Sequence, residues 1–134
     1  MARHKDLMVF QKADELALLI YKTTGKFPKM EAFGITSQPR RAALSVPTNI
    51  VEGYARKSKK ELAQFINIAL GSLAETEYLL DFSKRLGYCG GDTMQIDGLI
   101  EEVGKLLWGF YRSLQECVFY FRSSVFPPSM ASAL

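Results

Sequence analysis

Histidine is almost missing from this 134-residue chain: there is one, His4. A single imidazole cannot supply the two Glu-x-x-His motifs of the di-metal centres common in helical bundles, and His4, expected outside any bundle core, is not placed for a Ser-His or Cys-His nucleophilic pair. Two cysteines, Cys89 and Cys117, form no metal or redox spacing and leave a reduced thiol state as the expectation. Cys89 reads as a loop thiol and Cys117 as a core residue. No apolar run approaches the roughly 18 residues of a membrane span. The opening MARHKDLMVF carries no long apolar region with a cleavage site, so a cytoplasmic location and no membrane partner are expected. Period-two alternation, a phosphate-binding Gly-rich loop and an H-E-x-x-H element are absent as well. No metal, no cofactor and no enzymatic activity are expected.

What is present is helical periodicity. Phe10, Ala13, Ala17, Ile20, Tyr21 and Thr24 predict a first helix from Asp6 to Thr24, ended by Gly25 and Pro28. Thr36 or Ser37 is placed to cap a second helix, with Pro39 in its first turn, where the missing N–H costs little. Pro47 falls in its middle, frees the carbonyl of Ala43 and predicts a kink stabilised by burial. Ser58 and Glu61 form a capping box that opens a third helix, running to Leu86 and stopping at Gly87. Asp92 and Gln95 are expected to open the fourth in a similar way. Ile96, Leu99, Val103, Leu106, Leu107, Phe110, Leu114, Val118 and Phe121 carry its period to Ser123. Short connections favour antiparallel neighbours, so the expected fold is all-α: an up-down four-helix bundle over residues 1–124, with a disordered tail over 125–134.

The second helix carries apolar residues around most of its circumference, twice the stripe that a peripheral bundle helix needs. Its polar arc is Arg41, Ser45, Thr48, Asn49, Glu52 and Arg56. Trp108 and Phe119 project from the polar side of the fourth helix, as Met8 and Leu19 do from the first. Second apolar patches on three helices predict subunit interfaces and a homo-oligomer. Charge is divided too: residues 1–60 sum to +7 and residues 61–134 to −4. Such a division suits an anionic partner or complementary subunit faces.

Two constellations stand out. The run ARKSKKE sets Arg56, Lys57, Lys59 and Lys60 at the junction of the second and third helices; with Arg40, these are the candidate nucleic-acid-binding residues. Clustered cations bind phosphates by releasing counterions, and without interleaved aromatics they would grip the backbone with little sequence preference. The competing reading is a solvated loop. The second constellation is Arg41, Asn49, Glu52, Glu75 and Glu77, expected to form a structural polar network with Glu77 pairing to Arg41 or Arg56. Glu75 and Glu77, with Asp81 one turn on, could in principle be paired catalytic carboxylates; the structural reading is preferred because partly buried charges need partners.

The elements FP..E.FG, SQ.RRAA.S.P.NI.EG and F..IA.GSL.E.E stand here between Phe27 and Leu80. In them the sequence resembles the four-helix-bundle family encoded by intervening sequences of bacterial large-subunit ribosomal RNA genes. A related group comprises accessory proteins of diversity-generating retroelements, which assist a reverse transcriptase and bind nucleic acid. The resemblance implies a cytoplasmic bundle assembled as a ring-like homopentamer with no established enzymatic activity. It implies, as partners, nucleic acid and a reverse transcriptase or other protein. The RR pair matches as Arg40 and Arg41, N..EG as Asn49, Glu52 and Gly53, and G-S-L-x-E-x-E as Gly71, Ser72, Leu73, Glu75 and Glu77. Pro39 departs from the aliphatic residue usual in the family, which predicts a slightly later start for the second helix. The alternative function is a protein–protein adaptor without affinity for nucleic acid.

Overall fold

A computed structural model describes the backbone of residues 3–125 and the side chains of residues 3–116. Within them lie four helices, α1 (Met8–Thr24), α2 (Ser37–Tyr54), α3 (Lys59–Arg85) and α4 (Met94–Val125), and two single turns of 3-10 helix. No strand occurs among the described residues. Each helix packs against its neighbours in sequence, and α1 closes on α4, which completes a four-helix bundle. Among the described residues, no helix is long and apolar enough to cross a membrane. Val125, where the expected tail begins, is the last residue of α4; residues 126–134, and the side chains of Cys117, Val118, Phe119 and Phe121, lie outside the described residues.

Local chemistry sets each boundary. The first helix begins two residues later than its pattern predicts. Asp6 instead closes a 3-10 turn, where its Oδ2 accepts from the Arg3 N–H at 3.1 Å, and extended Leu7 separates that turn from α1. Helix α2 begins at Ser37, so Pro39 does not delay it. Neither predicted cap acts: Thr36 makes no side-chain cap bond, and the Ser37 hydroxyl donates back to the Gly34 carbonyl at 3.2 Å. Pro47 is buried and the helix runs unbroken through it. Ser58 caps α3 as expected, its Oγ accepting from the Glu61 N–H at 3.3 Å. At the other end Gly87 adopts φ +77°, and the Tyr88 N–H reaches back to the Ser83 carbonyl at 3.0 Å. That is the left-handed stop for which glycine carries no Cβ penalty. Helix α4 is opened by Asp92, whose Oδ1 accepts from the Met94 N–H at 2.8 Å; Gln95 takes no part.

The core follows the helical period. Ala13, Leu16 and Ile20 of α1 meet Ala43, Val46 and Ile50 of α2, and Ile66, Ala69 and Leu73 of α3 face Val103 and Leu107 of α4. A smaller cluster of Phe27, Ile35, Ala42 and Leu79 closes the end of the bundle that holds the α1–α2 loop. There Tyr88 leans on Phe27 and donates to Glu31 Oε1 at 3.3 Å. The broad apolar surface of α2 is partly accounted for by its place between α1 and α3. Leu44 nonetheless remains 47% exposed. Met8 and Trp108 are exposed as predicted, whereas Leu19 packs against the core and its neighbour Leu18 faces outward.

Candidate nucleic-acid interface at the α2–α3 junction

The turn from α2 into α3 is tight because Gly53 permits it. A Cβ there would stand 2.8 Å from Phe65 Cβ and 3.0 Å from Leu62 Cδ1. This close crossing brings Phe65 beneath the chain as it leaves α2, and the Arg56 guanidinium lies over its ring at 5.0 Å from the centroid. A cation over an aromatic face is held by the ring quadrupole while its donors stay in water. Lys57 follows in the turn, and Lys59 and Lys60 occupy the first turn of α3. All four cations are exposed. Arg56, Lys57 and Lys60 make no ion pair among the described residues.

Two lysines in the first turn of a helix are electrostatically misplaced for helix stability, since the amino end of the helix dipole is already positive. Their fields add to the positive end of the helix dipole, so the junction is a concentrated positive site partly offset by Glu61. Phe65 is the aromatic that the sequence pattern did not connect with the run. Its position nine residues beyond Arg56, past the Ser58 cap, becomes close only once α3 turns back along α2.

Arg40 does not belong to this site. It stands near the opposite end of α2, about 24 Å away at 1.5 Å per residue. Its Nε donates to Thr24 Oγ1 at 2.7 Å, its Nη2 donates to the Tyr21 carbonyl at 3.2 Å, and its guanidinium lies 4.8 Å from the Tyr21 ring centroid. These contacts tie the start of α2 to the last turn of α1, where a cation also complements the helix dipole. The signal was available: Arg40 is the one cation on the inward side of the α2 wheel, and such a charge needs a partner.

The predicted polar network is divided as well. Asn49 Nδ2 donates to the Ser45 carbonyl at 2.7 Å and to Ser45 Oγ at 2.9 Å, and Ser72 Oγ of α3 donates to the same hydroxyl at 2.9 Å. This small network pins the α2–α3 register. The charge pattern does not mark the serines as network residues, although Ser45 lies on the predicted polar arc. Arg41, Glu52, Glu75 and Glu77 are exposed and form no ion pair within the described chain. The expected pairing of Glu77 with Arg41 or Arg56 therefore does not occur within one chain. Glu77 faces α4 instead, in a shallow groove with Asp97, Ile100 and Glu101.

Residues 5–109 match the sequence profile of the family described as 23S rRNA-intervening sequence protein. No curated protein matches the chain. The matched stretch contains α1, α2, α3, the first half of α4 and every residue of both constellations. The chain therefore belongs to the 23S rRNA-intervening sequence protein family.

Proposed function

We propose that this protein is a non-enzymatic, homo-oligomeric, cytoplasmic bundle that binds nucleic acid through phosphate contacts at the α2–α3 junction. In this reading it serves an RNA-processing or reverse-transcription machine as an accessory, assembled as the pentameric ring that the family resemblance implies. The observation that carries the reading is the cluster of Arg56, Lys57, Lys59 and Lys60. All four are exposed, they lie at the positive end of α3, and the acidic residue in its first turn is Glu61. Phosphate oxygens would complement both the side-chain charges and the helix terminus. A ring of copies would repeat the cluster around one rim and multiply the local potential. Recognition of backbone rather than base edges follows, because phosphate contacts position a nucleic acid without reading its sequence.

The test is the triple variant Lys57→Glu, Lys59→Glu, Lys60→Glu. It is expected to abolish RNA binding while the helical content is retained and thermal stability holds or rises, since all three side chains are exposed and acidic residues suit the amino end of α3 better than lysines. Undiminished binding would remove the assignment. A second reading, the protein–protein adaptor, is favoured by Trp108, which is 53% exposed and stacks on Tyr111 at 5.8 Å and 19°. An exposed tryptophan backed by a partly buried tyrosine is a common kind of anchor for a protein partner. That reading predicts loss of the partner on Trp108→Ala and no affinity for RNA.

A further inference from the structure

We propose a head-to-tail contact between copies in which Arg41 and Leu44 on α2 of one copy pack against Glu77, Ala74 and Tyr78 on α3 of the next. The proposal rests on the homo-oligomeric reading above and gives it a specific interface.

Glu77 differs from the other carboxylates that line its two shallow grooves, Asp81, Asp97 and Glu101. Asp81 pairs with Arg85 at 3.2 Å, Asp97 with Lys84 at 2.8 Å, and Glu101 with Lys105 at 3.1 Å. Among the described residues, Glu77 alone of these four lacks a cation. On α2, Arg41 is exposed and has no acidic partner, although it matches the family's RR element. The two cannot meet within a chain. Arg41 belongs to the outward stripe of α2 with Leu44 and Thr48, whereas Glu77 lies on the far side of α3, toward α4. The body of α3, roughly 10 Å across with its side chains, stands between them.

They do lie at the same height. The Ser45–Ser72 hydrogen bond fixes the antiparallel register, so four residues back along α2 from Ser45 and four onward along α3 from Ser72 reach Arg41 and Thr76. Glu77 is one residue further, about 1.5 Å in rise. Rotation about an axis parallel to the bundle keeps every residue at its own height, so a ring formed in this way joins residues at equal levels. A two-fold axis perpendicular to the bundle would invert those levels. Complementary groups on different faces at one height are what a closed heterologous assembly requires.

The apolar neighbours keep the same spacing. Three residues below Arg41 on the outward stripe is Leu44, and three below Glu77 is Ala74. Ala74 lines a shallow groove with Glu77, Tyr78 and Asp81. Leu44 is 47% exposed and Tyr78 59%, so the two surfaces set an apolar projection against the Ala74 and Tyr78 side of the recess and a cation against its carboxylates. An unpaired charge of each sign also disfavours like-to-like contact between copies.

Sedimentation and light scattering at fixed concentration test the contact on four proteins: wild type, Arg41→Glu, Glu77→Arg and the double charge reversal. The single variants are expected to shift to smaller species with unchanged helical content, and the double variant to regain the wild-type mass. In a Cys89→Ser, Cys117→Ser background, Leu44→Cys with Ala74→Cys is expected to form disulfides between copies. This gives a readout should a charge variant fail to fold. Oligomeric wild type with undisturbed single variants and no crosslink would overturn this interface alone. Wild type at the mass of one chain would overturn the homo-oligomeric reading with it.

Discussion

Replacing Gly53 with alanine sets two effects of known sign against each other. Alanine is favoured over glycine by about 1 kcal/mol in a helix interior, and by less at Gly53, the second-last residue of α2. Against that, the new methyl would meet Phe65 Cβ at 2.8 Å and Leu62 Cδ1 at 3.0 Å. Leu62 can turn its branch aside, but Phe65 Cβ is fixed to the α3 backbone, so only separation of the helices relieves the closer contact. Overpacking of this kind costs about 1–3 kcal/mol. The clash therefore outweighs the propensity gain, and Gly53→Ala is expected to lose about 1 kcal/mol net. Gly98→Ala is the control, because a Cβ there meets nothing within 4 Å and the propensity gain should stand alone. Urea unfolding followed by circular dichroism, at one protein concentration, should place the two midpoints on opposite sides of wild type with unchanged slope. The same separation would appear as a Tm difference of roughly 6 °C. Equal stabilisation by both substitutions would refute the close α2–α3 crossing, and with it the placement of Phe65 under Arg56.

Arg40→Ala removes two hydrogen bonds and a ring contact, and is expected to destabilise by about 1–2 kcal/mol in chemical denaturation while leaving RNA affinity intact. A loss of RNA affinity comparable to that of the junction lysines would show that Arg40 belongs with them after all. Ser72→Ala breaks the hydrogen bond to Ser45 and should cost about 1 kcal/mol in the same assay; no change would mean that the two serines do not set the register. Burial pushes the Cys89 thiol above its ordinary pKa, with nearby Lys84 opposing the shift and Asp97 adding to it. At pH 8 the folded protein should therefore hold less thiolate than the unfolded chain. In a Cys117→Ser background, iodoacetamide should modify Cys89 more slowly than in urea; equal rates would contradict the shift.

Much of the fold was legible because its punctuation is local. Ser58 with Glu61, and Gly87 after the last periodic leucine of α3, act through bonds within five residues, so the pattern alone locates them. The starts of α1 and α2 were less legible, since Asp6 bonds to Arg3 in a 3-10 turn and Ser37 turns back to Gly34 instead of capping. For the site, the exposed cluster at the junction could be read directly from the charge run. Contacts between distant segments could not: Phe65 meets Arg56 only after the chain reverses, and Arg40 finds its partners 16 and 19 residues upstream. Arg41 and Glu77 have compatible charges and equal heights, but the sequence pattern did not resolve the faces of the bundle on which they stand.

The central claim is that the α2–α3 junction grips phosphates. Fluorescence anisotropy of a labelled structured RNA, titrated with the protein at several salt concentrations, measures this directly. Four contacts per copy predict that log affinity falls with log salt at a slope of roughly −3 to −4 for each protomer engaged on duplex. The triple lysine-to-glutamate variant should flatten that slope and lose the binding. Absence of binding at low salt, or a slope that the variant leaves unchanged, would contradict the account and leave the exposed Trp108 as the surface to pursue.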